Sequence, residues 1–136
     1  MSLHPYLMFS RTAREAMTRY QEVFGGELNL LTFADLPPGA DRPTDVDADL
    51  VMHAALSFGD GDLLMASDDP SGDGSGVKGA ALSVSAGDEP EARRVFEALA
   101  EGGTVVMPLG PTFWAPVFGM CVDRFGVSWM VGVEAG

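Results

Sequence analysis

The C-terminal part of the chain alternates apolar and polar positions with the period of two that is typical of β-strands. The apolar positions are Phe118, Met120 and Val122, followed by Val127, Trp129 and Val131. Between the two series stands the segment Asp-Arg-Phe-Gly, and its glycine, Gly126, can adopt a positive φ without steric cost. The pattern therefore predicts a strand, a tight turn and a second strand.

Two other segments place apolar residues at helical spacing, so that each forms one apolar helix face. The first face is Ala13, Ala16, Met17, Tyr20 and Phe24, and the second is Ala92, Val95, Phe96 and Leu99. Residues with capping chemistry open both segments, Thr12 with Glu15 and Asp88 with Glu91. A pair of glycines follows each segment, which is typical of a helix end. We therefore predict two amphipathic helices that begin near Thr12 and Asp88.

The remaining alternation completes a plan that occurs twice along the chain. Strands are predicted over Leu3–Phe9, Glu27–Phe33, Asp49–Phe58 and Leu63–Ser67 in the first half, and over Val77–Ala86, Thr104–Leu109 and the two C-terminal segments in the second. Each half thus reads βαβββ, and one such unit cannot cover both faces of its own sheet. We predict a single α+β domain of two modules, residues 1–70 and 77–136, joined by a polar, glycine-rich connector at 68–76. We expect the mixed sheet to curl around a cleft, the usual setting of a small-molecule site.

Composition and charge narrow the classes of partner. The chain has 136 residues, of which 46% are hydrophobic, so it can form a globular core. Its net charge of −12 repels nucleic acid phosphates and anionic lipid, and its eight Lys and Arg residues form no basic patch. No apolar run approaches the roughly 20 residues of a membrane span, and no basic leader precedes the first strand. We therefore expect an acidic, cytoplasmic protein without nucleic acid or membrane partners.

Few residues carry candidate chemistry. His53 lies in the middle of the third predicted strand, where it could act toward a cleft as an acid, a base or a hydrogen-bond donor. Asp68, at the end of the fourth strand, could approach His53 across the hairpin and orient its imidazole. The alternatives are a partly buried strand histidine and a turn-forming aspartate. Trp114 could either stack on a flat ligand or pack in the core, and the single cysteine, Cys121, is expected to pack in the core.

Five short motifs occur in order and span nearly the whole chain. They are PYLMF at 5–9, Tyr20-x-x-x-Phe24-Gly25-Gly26, VMHAAL at 51–56, LLMASD at 63–68 and the segment from Trp114 to Trp129. With the duplicated plan, they resemble the PhnB-like branch of the vicinal oxygen chelate superfamily, which includes glyoxalase I, extradiol dioxygenases and bleomycin resistance proteins. The resemblance implies a glyoxalase/bleomycin-resistance-like fold and a homodimer. Some members are described as demethylubiquinone methyltransferases, but no segment here is recognisable as a site for S-adenosylmethionine.

Metal-dependent members of that superfamily place His or Glu ligands on strands 1, 4, 5 and 8, facing the cleft. The resemblance transfers these positions to Pro5, Met65 or Ala66, Gly79 or a neighbour, and Met130. None of these residues offers a charged or imidazole ligand to a hard or borderline cation. We therefore expect neither a metal nor another cofactor, and a methionine-bearing lining of adaptable shape instead.

The sequence thus favours metal-independent binding of a small organic molecule, without catalysis. In this hypothesis an apolar cleft is lined by Pro5, Met65, Trp114 and Met130, while His53 and Asp68 orient the ligand. One alternative is an enzyme, either a lyase or isomerase that uses His53 and Asp68 as acid and base, or an atypical metal-dependent enzyme of the glyoxalase or dioxygenase type. Another is a dimeric scaffold whose vestigial cleft is filled by methionine side chains.

Overall fold

A computed structural model describes residues 1–37, 47–69, 71 and 76–133 of the chain. Contacts between residues divide the chain into two compact units, Met1–Gly74 and Ser75–Gly136. Within the described residues, each unit has one α-helix and four strands in the order βαβββ. The predicted α+β class and the duplicated plan are therefore confirmed. Most of the predicted connector at 68–76 lies outside the described residues.

The first unit is a mixed four-stranded sheet with a helix on one side. Its elements are β1 (Tyr6–Phe9), α1 (Ala13–Phe24), β2 (Glu27–Thr32), β3 (Val51–Phe58) and β4 (Asp62–Asp68). The strands lie side by side in the order β1-β4-β3-β2. β1 runs parallel to β4, and the other neighbours are antiparallel. A short 3-10 helix, Phe33–Asp35, follows β2.

The second unit repeats this topology. Its elements are β5 (Leu82–Ala86), α2 (Glu89–Ala100), β6 (Thr104–Gly110), β7 (Val117–Val122) and β8 (Ser128–Val133). The strands lie in the order β5-β8-β7-β6, with β5 parallel to β8. No helix among the described residues combines the length and the apolar character that crossing a bilayer requires.

Each helix buries its apolar side against one face of its own sheet. The buried helix residues are Ala13, Ala16, Met17, Tyr20 and Val23 in α1, and Ala92, Val95, Phe96 and Leu99 in α2. Full burial of a large apolar side chain stabilises a fold by about 1.5–3 kcal/mol, so these faces fix each helix on its sheet. Phe24 departs from the predicted face, because it is half-buried and stacks on Phe58 at a ring distance of 5.1 Å. The opposite face of each sheet, called the open face below, receives no helix from its own unit.

The two parallel strands are shorter than the sequence pattern predicts. β1 begins at Tyr6 instead of Leu3, and β5 begins at Leu82 instead of Val77. Each is an edge strand with a single neighbour, and pairing to that neighbour begins at Tyr6 and Leu82. The alternating pattern therefore begins several residues before the strand pairing does in both cases.

The two helices begin with different caps. The Asp88 side chain accepts a hydrogen bond from the Glu91 N–H at 2.9 Å, as the capping prediction requires. The Thr12 side chain makes no such bond, so the predicted capping box of α1 is wrong. The N–H of Ala13, the first residue of α1, donates instead to Oδ1 of Asp68 at 2.9 Å. The start of α1 is therefore attached to the end of β4 by a tertiary hydrogen bond.

The second glycine of each Gly-Gly pair lies directly against the backbone of the neighbouring strand. A Cβ atom on Gly26 would overlap the carbonyl oxygen of Ser57. A Cβ atom on Gly103 would overlap the carbonyl oxygen of Val122 and lie 2.9 Å from Cα of Asp123. In both units, the chain leaves the helix and enters the next strand at a spacing that only glycine permits.

Replacing these glycines separates backbone conformation from close approach. Gly25 has φ +76° and ψ −162°, a conformation that essentially only glycine adopts, with no atom within 4 Å of an added Cβ. We therefore expect Gly25→Ala to cost only this backbone strain, about 1–3 kcal/mol. Gly26→Ala adds a clash with the β3 backbone and should cost roughly 3 kcal/mol or more. Urea unfolding followed by circular dichroism measures both. Equal losses for the two variants would contradict the close approach.

Candidate functional site

The open face of the first sheet is accessible and largely apolar. One row of it, in sheet order, is Tyr6, Met65, Ala55 and Asn29. Met8, Leu31 and His53 lie on the same face, because strand residues two apart share a side. Tyr6, Met8 and Leu31 are 43%, 53% and 47% exposed, and Met65 and His53 are half-buried. A contiguous apolar surface of this kind is typical of a binding site.

A hydrogen bond between Tyr6 and His53 is the polar centre of this face. The Tyr6 hydroxyl oxygen lies 3.2 Å from Nδ1 of His53, and the two ring centroids are 5.7 Å apart. Tyr6 reaches across β4, which separates β1 from β3 in the sheet. Sequence reasoning missed Tyr6 as a candidate, because nothing in the sequence fixes the parallel register of β1 on β4.

Asp68 lies on the other face of the same sheet, so the predicted His53–Asp68 pair is wrong. The hairpin register joins Ala54 to Ala66, which turns Asp68 toward the helix side and His53 toward the open side. The Asp68 carboxylate is buried and accepts the N–H groups of Ala13 and Val51, each at 2.9 Å. Asp68 is therefore a structural acceptor that holds the starts of α1 and β3 at the end of β4.

A second buried carboxylate, Asp123, organises the β7–β8 hairpin. Its Oδ1 accepts the N–H groups of Phe125 and Val127 at 2.9 and 3.0 Å, and its Oδ2 accepts the indole N–H of Trp129 at 2.8 Å. Trp129 is buried. The sequence analysis did not predict that Asp123 organises this hairpin. An aspartate at the start of a glycine-containing turn was the pattern that could have indicated it.

The open face of the second sheet has the same geometry but different chemistry. The row that corresponds to Tyr6, Met65, Ala55 and Asn29 is Ser83, Met130, Met120 and Met107. Phe118 stands two residues before Met120, just as His53 stands two residues before Ala55. The second unit therefore presents three thioethers where the first has Met65, Ala55 and Asn29. Where the first unit has its hydrogen-bonded pair, the second has Ser83 and Phe118.

Trp114 lies beside this second open face and not in the core. Its ring makes edge contacts with Phe118 at 5.3 Å and with Phe113 at 4.8 Å, and it is 50% exposed. The loop that carries it is closed by hydrogen bonds from the Thr112 N–H to the Ala115 carbonyl oxygen, and from the Ala115 N–H to the Thr112 hydroxyl. The loop therefore holds two aromatic rings where a flat molecule can reach them.

The register shows which residues lie near the positions predicted for metal ligands. Pro5 lies before β1 and Gly79 before β5, so neither occupies an open-face strand position, contrary to the prediction. The open-face residues at these positions are Tyr6 opposite Met65, and Ser83 opposite Met130. Hydroxyls and thioethers do not suit the cations that the superfamily binds through His and Glu. Among the described residues, no three His, Cys, Asp or Glu side chains are grouped so that they could hold a metal ion.

Two other reactive side chains, Cys121 and His4, lie away from the Tyr6–His53 pair. Cys121 is buried, and burial together with the negative charge of Asp123 raises the pKa of its thiol to about 11. The thiol is therefore protonated at neutral pH and is not a nucleophile. His4 lies with Glu27 and Asp62 at an open depression of about 360 Å³ beside the β3–β4 turn, and His53 does not line it.

The two βαβββ units define the class of protein. The fold matches a glyoxylase/bleomycin resistance protein/dioxygenase domain from Frankia sp. EAN1pec with a TM-score of 0.66 over 99% of this chain and 98% of that one, at 13% identity. A likeness at such low identity shows the fold alone. The chain therefore has the fold of the vicinal oxygen chelate superfamily.

Residues 1–132 match the model of the family described as 3-demethylubiquinone-9 3-methyltransferase, and the chain belongs to this PhnB-like family. It is 33% identical to protein YjdN of Escherichia coli K12, over 98% of this chain and 95% of that protein. It is 48% identical to protein PA1353 from Pseudomonas aeruginosa, with a TM-score of 0.88 and 98% of both chains covered. A putative 3-demethylubiquinone-9 3-methyltransferase, PhnB protein, from Bacillus cereus is 27% identical, with a TM-score of 0.79 over 98% of this chain and 100% of that one.

Asp68 should affect folding and leave the open face intact. We expect Asp68→Ala to lower the free energy of unfolding by about 2–4 kcal/mol, because two buried N–H groups lose their acceptor. Asp68→Asn, which keeps one acceptor oxygen, should cost less. Asp60→Ala in the exposed β3–β4 turn is the matched control and should leave the unfolding midpoint nearly unchanged. A stable Asp68→Ala protein would contradict the structural role.

Proposed function

We propose that this protein binds a small, largely apolar organic molecule on the open faces of its sheets, without a metal and without chemistry on the ligand. The observation that carries the proposal is the composition of these faces. In the second unit, Met107, Met120 and Met130 line a row beside Phe118 and Trp114. Thioethers adapt to ligand shape, and aromatic rings stack on flat molecules.

The charge of the protein supports a neutral or cationic ligand. The chain carries a net charge of −12, and neither row of open-face residues contains a Lys or Arg. A phosphonate or another doubly charged anion would be repelled and would find no cation there. A neutral molecule with a flat apolar body is not repelled in this way.

The enzyme alternative loses its predicted acid–base pair. Asp68 accepts two backbone N–H groups on the helix side of the sheet, so it cannot assist His53. His53 has Tyr6 as its neighbour instead. The ligand positions of the superfamily hold hydroxyls and thioethers, which speaks against the metal-dependent alternative. Binding without catalysis therefore fits these side chains best.

Tryptophan fluorescence offers a direct test, because Trp114 is half exposed whereas Trp129 is buried. We expect flat naphthyl compounds to quench the Trp114 emission saturably, with equal affinity before and after dialysis against a chelator. Trp114→Phe should remove the fluorescence response. Trp114→Ala should weaken binding about two- to tenfold by calorimetry, because aromatic stacking contributes about 0.5–1.5 kcal/mol.

Two controls accompany this test. Phe113→Ala removes the more exposed ring of the same loop, and we expect it to weaken binding less than Trp114→Ala does. S-adenosylmethionine belongs in the same screen, because the family description names a methyltransferase. Saturable binding of S-adenosylmethionine, or binding that the chelator abolishes, would contradict the proposal.

The proposal includes a cytoplasmic homodimer. The edge strand β6 supports self-association, since Val105, Val106 and Met107 are 47%, 60% and 36% exposed along it. An exposed apolar edge strand is a surface that proteins usually cover. Sedimentation velocity should give twice the monomer mass, and Val106→Lys should shift the protein toward monomer. A monomeric wild-type protein at micromolar concentration would contradict this part of the proposal.

A further inference from the structure

The two open faces differ most at the position of His53. Its counterpart in the second unit is Phe118, and the counterpart of Tyr6 is Ser83. The duplicated scaffold therefore does not itself require an imidazole or a phenol at these positions. The first unit carries a hydrogen-bonding pair on a face that is otherwise uncharged around it and largely apolar.

The surroundings of the pair are neutral. The residues that neighbour it on the open face are Met8, Leu31, Ala55, Met65 and Ser67. The Ser67 hydroxyl donates to Sδ of Met8 at 3.6 Å. Within the described part of the chain, the Tyr6 hydroxyl is the single side-chain partner recorded for the His53 ring. Nδ1 faces Tyr6, so Nε2 is the ring nitrogen that a bound molecule can use.

A hydrogen bond between a tyrosine and a neutral histidine can have either residue as the donor, and one of these two directions is favoured. A phenol O–H is the better donor, and an imidazole nitrogen is the better acceptor. When Tyr6 donates to Nδ1, the ring proton must reside on Nε2, because a neutral imidazole has one donor and one acceptor. Tyr6 then sets His53 as a hydrogen-bond donor toward the ligand.

We propose that Tyr6 fixes the tautomer of His53 so that Nε2–H recognises a neutral carbonyl-type oxygen on a flat apolar ligand. This inference rests on the proposed function and names the class of its ligand. A carboxylate could also accept from Nε2–H, but no cation among the neighbouring residues would balance its charge, and the protein is strongly negative. His53 is thus a specificity residue, and Tyr6 is a positioning residue that acts through it.

Three related probes isolate the carbonyl oxygen. Methyl naphthyl ketone carries the acceptor, ethylnaphthalene has the same shape without it, and naphthoate carries a charged acceptor. Binding to the wild-type protein is followed by the labelled methyl signals of methionine, which also report which unit is occupied. We expect the ketone to bind roughly three- to tenfold tighter than the hydrocarbon, as one neutral hydrogen bond allows. We expect naphthoate to bind more weakly than the ketone.

His53→Phe installs the residue type that the second unit carries at the matching position. We expect the ratio of ketone to hydrocarbon affinity to fall to about one, with hydrocarbon affinity retained. His53→Gln keeps an N–H donor and provides a second variant if the phenylalanine disturbs packing. Asp60→Ala, in the exposed β3–β4 turn and outside both open-face rows, is the control and should leave the ratio unchanged.

The role of Tyr6 has its own spectroscopic readout. The nitrogen chemical shifts of His53, measured at a pH where its ring is neutral, should indicate the Nε2–H tautomer in the wild type. In Tyr6→Phe, the shifts should move toward a mixture of tautomers, and the ketone preference should fall in proportion to the lost Nε2–H form. A purely structural role for Tyr6 would leave the tautomer unchanged.

The outcomes separate this inference from the function on which it rests. Equal binding of ketone and hydrocarbon, or a ketone preference that survives in His53→Phe, would overturn the inference and leave apolar binding in place. Tightest binding of naphthoate would overturn the neutral-acceptor class. Failure of all three probes to shift any methionine methyl would count against the proposed function and the inference together.

Discussion

Buried carboxylates that accept backbone hydrogen bonds hold both units in register. Asp68 joins the first N–H of α1 and the first N–H of β3 to the end of β4. Asp123 accepts hydrogen bonds from the β7–β8 turn and from the indole of Trp129. A buried charge is tolerated only when such donors surround it, so each aspartate constrains several chain segments at once. With the helix fixed on one side of each sheet, the other side receives no helix from its own unit.

The sequence was sufficient for those features that depend on local pattern. Apolar spacing placed α1 and α2, and the two Gly-Gly pairs marked where the helices end. The βαβββ order followed from the same patterns. The edge strands β1 and β5 were predicted to be longer than they are, because alternation does not indicate where pairing with a neighbouring strand begins. Local patterning thus determined the elements and left their pairing open.

The candidate site was harder to predict, because it depends on register across strands. One hairpin pairing, Ala54 with Ala66, decides that His53 and Asp68 point to opposite faces. The parallel register of β1 on β4 brings Tyr6, which is 47 residues away in sequence, to His53. Neither register has a signal in composition or spacing. The duplication is also uneven, since one face kept polar groups where the other has methionine and phenylalanine.

The methionine side chains on the open faces can be oxidised. Met8 and Met107 are 53% and 36% exposed, and Met65, Met120 and Met130 are half-buried. Peroxide converts an accessible thioether to a sulfoxide, which is polar and which reductases can reverse. Sulfoxides along these rows would turn a surface suited to apolar molecules into one that prefers water. The side chains on which the proposed binding depends would therefore make its affinity sensitive to earlier exposure of the protein to oxidants.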